Sequence, residues 1–377
     1  MHNGSAVPLV VLLCATGTMV LLASCSAQPR TELPEERTTT NAGAQPYIPY
    51  TDTTGQLAEY VVRAFADSKG ALWFGTMGKG VARYADKQLS FLSPAGGKGG
   101  NVVSSIAEDK DGNLWFAGHQ GTGLCRYGPS DPPSANGTAF TQFWEEESSV
   151  STDGEGNIWA GTGNGVFRFD GKNMVPFDVP IDRSAITAYS IVRGRAALAL
   201  EDSKGNLWFR TDGYGALRYD GRTFTHLSKA DGLCSNSVND IEEDAEGRIW
   251  FICMQAYQPA MTGDGGLCRF DGMSFTKFPE VKGLHNNDLY TLFKDRKGNI
   301  WIGATGVGMY RFSGETFTLF NATDRPDLNS GFGLQGMTEA RNGLFWCGFS
   351  GGLFRFDPSV SPDSARFVNV TRAGPWE

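Results

Sequence analysis

Seven tryptophans recur along this chain at nearly even spacing. They are Trp73, Trp115, Trp159, Trp208, Trp250, Trp301 and Trp346, at intervals of 42, 44, 49, 42, 51 and 45 residues. Three residues before each stands a glycine: Gly70, Gly112, Gly156, Gly205, Gly247, Gly298 and Gly343. Three residues before that stands an aspartate in six copies: Asp67, Asp109, Asp153, Asp202, Asp244 and Asp295. The seventh copy has Ala340, with Glu339 beside it. After each tryptophan comes a second phrase of glycine, two residues, arginine and an aromatic. A period of this length marks a repeat architecture, in which one unit cannot bury its apolar face alone and must stack on its neighbours.

The physics of one unit specifies strands. In the second copy the apolar run VVSSIAED enters Asp-x-x-Gly, a tight turn. Its carboxylate can accept backbone N–H groups, and its glycine can take φ > 0. NLWFAG follows, then a glycine-rich loop, then GLCRY, a second turn and a last strand. Four short antiparallel strands per unit make one blade of a propeller, and only closure of the ring removes exposed sheet edges. The expected fold is all-β, a seven-bladed β-propeller of four-stranded antiparallel blades over residues 47–377. YVVRAFAD would be its first strand and ARFVNVT its last, with PYIPYT as an added edge strand at the closure. The composition agrees: 49 Gly suit the turns, and 9 Trp with 25 Phe suit the strands.

The tryptophans are expected to fill the gaps between blades. The repeated arginines are Arg83, Arg126, Arg168, Arg218, Arg269, Arg311 and Arg355. Each sits one residue from its aromatic and so points to the other face of the sheet. There it is expected to stack on a neighbouring blade's tryptophan or to pair with its turn aspartate. Rows present in every blade are framework, not seven binding sites.

The N-terminus carries a separate signal. PLVVLLCATGTMVLLAS, residues 8–24, is short for a membrane span and sits where a signal peptide sits. It ends in Leu22-Ala23-Ser24-Cys25, which resembles the bacterial lipobox, although the leading MHNGSAV has no Lys or Arg. The resemblance implies a lipoprotein signal peptide over 1–24 and a lipid on Cys25. With Ser26 following, it implies an outer-membrane anchor facing periplasm or exterior. Residues 25–46, rich in Pro, Thr and charge, read as a flexible tether; roughly 20 such residues span about 25 Å.

Five cysteines remain: Cys125, Cys234, Cys253, Cys268 and Cys347. They read as buried thiols, with Cys253 and Cys268 as the one candidate pair. No zinc spacing is present, and no metal or other cofactor is expected. A formal charge of −8 disfavours nucleic acid, which needs a basic footprint.

The units resemble the two-component regulator propeller repeat. GNIWIGATGVGMYRFSG from Gly298 and GNIWAGTGNGVFRFDG from Gly156 are the nearest copies, and DGLCSNSVNDI and KGLHNNDLYTL resemble its inter-blade phrase. In that family propellers usually form the periplasmic sensor of a membrane-spanning histidine kinase, and many recognise glycans. The sequence shows one ring and neither a later membrane helix nor a kinase, so a stand-alone ligand-binding sensor is expected.

Function must break the repeat. In a propeller the loops joining strands two and three share a face with the connections between blades, and ligands sit at that channel mouth. The sharpest break is FICMQAYQPAMTGDG in blade five, a long loop with Met254, Gln255, Tyr257 and Asp264. The connection from blade three to four, with Arg193 and Arg195, is also long. His119 and Gln120 in blade two, Asp212 and Tyr214 in blade four, and His285 and Asn286 before blade six complete the candidate set. The insertion GPSDPPSANGTAF in blade two falls on the opposite face.

Aromatic and amide groups around a concave mouth suit a glycan or a peptide. The expected function is therefore binding of a glycan, peptide or partner protein at the channel mouth by a monomer whose membrane contact is its lipid alone. Two alternatives stand beside it. One is an enzyme resembling streptogramin lyase, for which only His119 and His285 are on the right face and no catalytic constellation is recognisable. The other is an assembly scaffold for envelope proteins.

Overall fold

The computed structural model describes residues 55–94, 101–128, 140–327 and 333–377. The signal peptide, Cys25, the tether, PYIPYT and most of the blade-two insertion lie outside the described residues. Within them are seven four-stranded antiparallel sheets, from strand Val61–Ala66 to strand Val368–Val370. Each sheet uses four strands consecutive in sequence, in the order one-two-three-four. The first strands of neighbouring blades pack on one another around the axis, so strand one is innermost. The inner strands are Val61–Ala66, Val102–Glu108, Ser148–Thr152, Ala196–Glu201, Ser237–Glu243, Leu289–Lys294 and Leu334–Glu339. The only helices among the described residues are the short 3₁₀ turns Arg183–Ala185 and Lys229–Asp231.

The tryptophans do fill the gaps between blades. Trp73 packs against Phe116 and Tyr127 of blade two, and Trp301 against Phe345 and Phe356 of blade seven. All seven are buried; truncating such a ring to alanine costs about 3–5 kcal/mol in comparable cores. In six blades the indole N–H donates to the turn aspartate, at 2.8 Å from Trp73 to Asp67 and from Trp301 to Asp295. One oxygen of that carboxylate takes the indole while the other takes turn amides, such as those of Lys297 and Asn299 for Asp295. A second row joins neighbouring turns. Glu108 accepts from the Ser68 amide of blade one at 2.7 Å, and Glu243 from the Ser203 amide of blade four at 2.8 Å.

The arginine row needs a correction. Arg83 lies over Trp73 at 5.4 Å and Arg311 over Trp301 at 5.7 Å, each on the tryptophan of its own blade. The register explains this, because Arg83 is the direct cross-strand partner of Trp73 and shares its face. The pairing with a turn aspartate does occur at Arg168, 3.9 Å from Asp153 of its own blade.

The cysteine pair needs another. All five thiols are buried and free. Cys253 stands opposite Gly266, and Cys268 opposite Phe251. The two are thus diagonal neighbours on one face of the sheet, their thiols in contact but not bonded.

Among the described residues no strand is exchanged where the ring closes. Gln56 forms a bridge to Thr371, and its amide exchanges hydrogen bonds with the Asn369 side chain at 2.8 and 3.1 Å. Leu57 and Ala58 bury themselves beside Leu353 and Val370. Trp376 stacks on Tyr84 of blade one at 4.5 Å and on Trp346 of blade seven at 5.5 Å.

Candidate ligand-binding site

Two departures from the repeat meet at one end of the ring. One is the connection between strands Met174–Phe177 and Ala196–Glu201; the other is the loop between strands Ile249–Met254 and Gly266–Phe270. They cross above blade four. The Tyr189 amide donates to the Gln258 carbonyl at 3.0 Å, and the Tyr257 and Gln258 amides both donate to the Tyr189 carbonyl at 3.0 Å. Asp212 anchors this arch from below. Its carboxylate accepts the amides of Ser190, Ile191 and Val192 at 2.6, 2.7 and 2.8 Å, and the Ser237 hydroxyl at 2.8 Å. Gly213 lets the arch sit this low: it has φ +93°, and a Cβ there would stand 2.6 Å from the Ala188 carbonyl oxygen.

Under the arch lies a narrow cleft of about 20 Å³, lined by Ser190, Arg195, Arg210, Asp212, Asn239 and Met254 among others. Arg195 is held by Glu147 at 2.7 Å. Met254 is buried and meets the Ser190 hydroxyl. Asp288 fixes the far foot of the arch: it accepts the Gln255 amide at 2.9 Å and the Tyr257 hydroxyl. Burial, with the Asp288 carboxylate facing the hydroxyl, pushes the Tyr257 phenol up to about 12.

The other sequence-derived candidates hold loops in place or stand apart. Arg193 donates to the Arg183 and Ile186 carbonyls at 2.8 and 2.9 Å, tying its own loop together. Tyr214 stacks on His226 at 4.1 Å, and Asp264 pairs with Lys229 at 2.8 Å. His285 and Asn286 are exposed; His285 makes a backbone bridge to Gly266, at the end of the blade-five loop. His119 ends the second strand of blade two, and Gln120 follows at φ +54°. No hydrogen bond, ion pair or ring contact joins either of them to the arch. Among the described residues no group of three His, Cys, Asp or Glu is placed to hold a metal.

Five charged residues of the channel were not singled out in the sequence: Arg63, Arg210, Asp240, Glu242 and Lys294. Arg210 had a visible signal. The second residue after the repeated tryptophan is Gly75, Ala117, Gly161, Ile252, Gly303 and Gly348 in the other blades. It faces the next blade's inner strand closely enough that a Cβ on Gly75 would run into the Val103 carbonyl. An arginine at such a position departs from the framework.

A larger hollow of about 470 Å³ lies on the opposite face, between blades two and three. Its walls are Asp109, Gly156, Arg168, Phe169 and the Asp170-Gly171 turn, positions that recur in other blades as framework. The mouth beneath the arch is the site built from residues unique to their blades.

Comparison with known proteins agrees with this architecture. Residues 97–120, 232–255 and 283–306 match the family model of the two-component regulator propeller. A histidine kinase P4 from Formosa agariphila is 24% identical; the alignment covers 68% of this chain and 22% of that protein, so the chain spans a small part of its relative. Among solved structures, the extracellular domain of BT3049 from B. thetaiotaomicron, assigned to a hybrid two-component system, superposes with a TM-score of 0.61 at 23% identity. That match covers 82% of this chain and 40% of the other. Virginiamycin B lyase from Staphylococcus aureus shares the fold at a TM-score of 0.56 and 12% identity, over 78% and 93% of the two chains. No helix of the described residues is long and apolar enough to cross a membrane. The chain is a seven-bladed β-propeller, and three stretches of it match the two-component regulator propeller repeat.

Proposed function

We propose that this propeller is an extracytoplasmic ligand-binding module, and that its site is the channel mouth beneath the arch over blade four. The observation that carries the reading is the reciprocal bonding of Tyr189 with Gln258. Two long interruptions of the repeat spend backbone groups on each other and leave a walled cleft beneath. The ligand class is a glycan or a peptide, bound by the amide, aromatic and charged groups of that wall. The lipid on Cys25 would hold the ring at a membrane, in the outer membrane for a Ser26-type signal. The similarity to the extracellular domain of BT3049 supports an extracytoplasmic setting.

The test is a glycan and peptide array probed with the full chain. Hits should appear, and they should vanish when Gln255–Asp264 is replaced by a short glycine-containing loop. Hits indifferent to that replacement would move the site elsewhere. An array without hits would favour an assembly scaffold.

A further inference from the structure

We infer that the channel beneath the arch binds the carboxylate of a small acidic ligand between the guanidinium groups of Arg63 and Arg210. This deepens the reading of the mouth as a ligand site and rests on it.

The register places the charges together. Arg63 on the inner strand of blade one pairs with Gly75, and Asp240 on the inner strand of blade five pairs with Ile252. Gly75 and Ile252 are both the second residue after the blade tryptophan, and Arg210 is that same residue in blade four. All three charged residues thus stand at one level of the ring. Arg63 and Arg210 both feel Asp240 and each other, and Arg210 also feels Arg195 and Asp212.

The groups are not satisfied by one another. Among the described residues neither the Arg63 nor the Arg210 side chain makes a hydrogen bond, nor an ion pair within 4.0 Å; the Arg63 Nε is buried without a partner. Both arginines are half-buried, and the shielded Arg63 Nε is costly to leave unpaired. The neighbouring carboxylates are committed elsewhere. Asp212 is consumed by three amides and a hydroxyl, and Glu147 by Arg195. Glu242 faces Lys294 at 3.8 Å. That leaves Asp240 as the one carboxylate opposite the two guanidiniums that is not held by another side chain. A carboxylate is the anion that matches two planar forks. Asp240 would then meet a hydroxyl or ammonium group next to that carboxylate. The cleft opens this level to the mouth, because Arg210 lines it beside Arg195 and Asn239.

The acid could be that of a sugar or of a peptide terminus, and the test separates the two. Titration calorimetry with the full chain would compare D-glucuronate with D-glucose, and tri-alanine having a free C-terminus with its amide. The acidic member of one pair should bind and its neutral partner should not, naming the source. Arg210→Gln and, independently, Arg63→Gln should each weaken that binding about tenfold or more, as expected for loss of a charge-assisted pair. The inference fails if neither acid binds, or if binding survives both substitutions. Should array hits persist while both acids fail, the mouth remains a ligand site and only its acidic specificity is lost. If either variant does not fold, the other, on a different blade, still decides the matter.

Discussion

The indole N–H of Trp346 has no acceptor because Ala340 occupies the place of the turn aspartate. In blade six the equivalent indole, that of Trp301, gives its hydrogen to Asp295 at 2.8 Å. The Ala340 turn keeps the same backbone bonds, with the Gly343 amide on the Ala340 carbonyl at 2.9 Å. The framework at the seventh blade therefore lacks a side chain, not a conformation.

Ala340→Asp should then supply the missing acceptor. Arg296 and Arg341 already reach the neighbouring carbonyls of Ala340 and Ser68, so the added charge meets cations. We expect a gain of about 1 kcal/mol. Asp295→Ala should cost about 1–3 kcal/mol by orphaning the Trp301 indole and two turn amides. Chemical denaturation of both variants checks the pair; a destabilised Ala340→Asp would contradict it.

Closure of the ring concentrates on one buried amide pair. Gln56→Ala leaves the Asn369 side chain without its exchange partner and opens space beside Leu57. A loss of about 1–3 kcal/mol is expected. Hydrogen exchange should then rise first in blades one and seven. Uniform loosening of all seven blades would mean that the seam is not the weak point.

Asp212→Asn tests the arch. An amide in place of the carboxylate cannot accept all three backbone N–H groups of residues 190–192 and the Ser237 hydroxyl as strongly. Stability should fall by about 1–3 kcal/mol, and ligand binding should fall with it. Protease cleavage within 183–195 that is no faster than in the parent chain would count against this role.

Channel charge should give stability a pH signature. Burial pushes the Glu242 carboxyl up to about 7, Asp240 adds to the push, and Lys294 opposes it. The folded chain thus holds this proton more tightly than the unfolded chain does. Glu242 should therefore subtract stability progressively as pH rises from 4.5 to about 7. Glu242→Gln should raise the melting temperature at pH 8, worth about 1–3 kcal/mol, and change little at pH 4. An equal effect at both values would refute the assignment.

The fold was legible because propeller framework is local and repeated. Asp67, Gly70 and Trp73 lie within one hairpin, and five further full copies, with a sixth that lacks only the aspartate, make the pattern unmistakable. The arginine row was misassigned by one partner: strand alternation gives the face, whereas the cross-strand partner depends on hairpin register. At the site, the two long interruptions were visible as lengths, but their meeting at Tyr189 and Gln258 was not, since nothing in either segment encodes the other. The channel charges were the least legible. Arg63, Arg210 and Asp240 come from three blades and share a level only once the ring is closed, so no spacing along the chain connects them.

Because every sheet is spun from one uninterrupted run of chain, the ring has seven seams of the same kind. Among the described residues, the one between blades seven and one is held by side chains and the backbone bonds of Gly55 and Gln56 to residues 371 and 372. Cutting the circle at another seam, with the present ends joined by a linker, would leave each hairpin ladder whole. What such a permutant could not move is the bearing of the arch, fixed over blade four by its flanking connections. The molecule thus behaves as a dial whose zero mark is arbitrary and whose pointer is not.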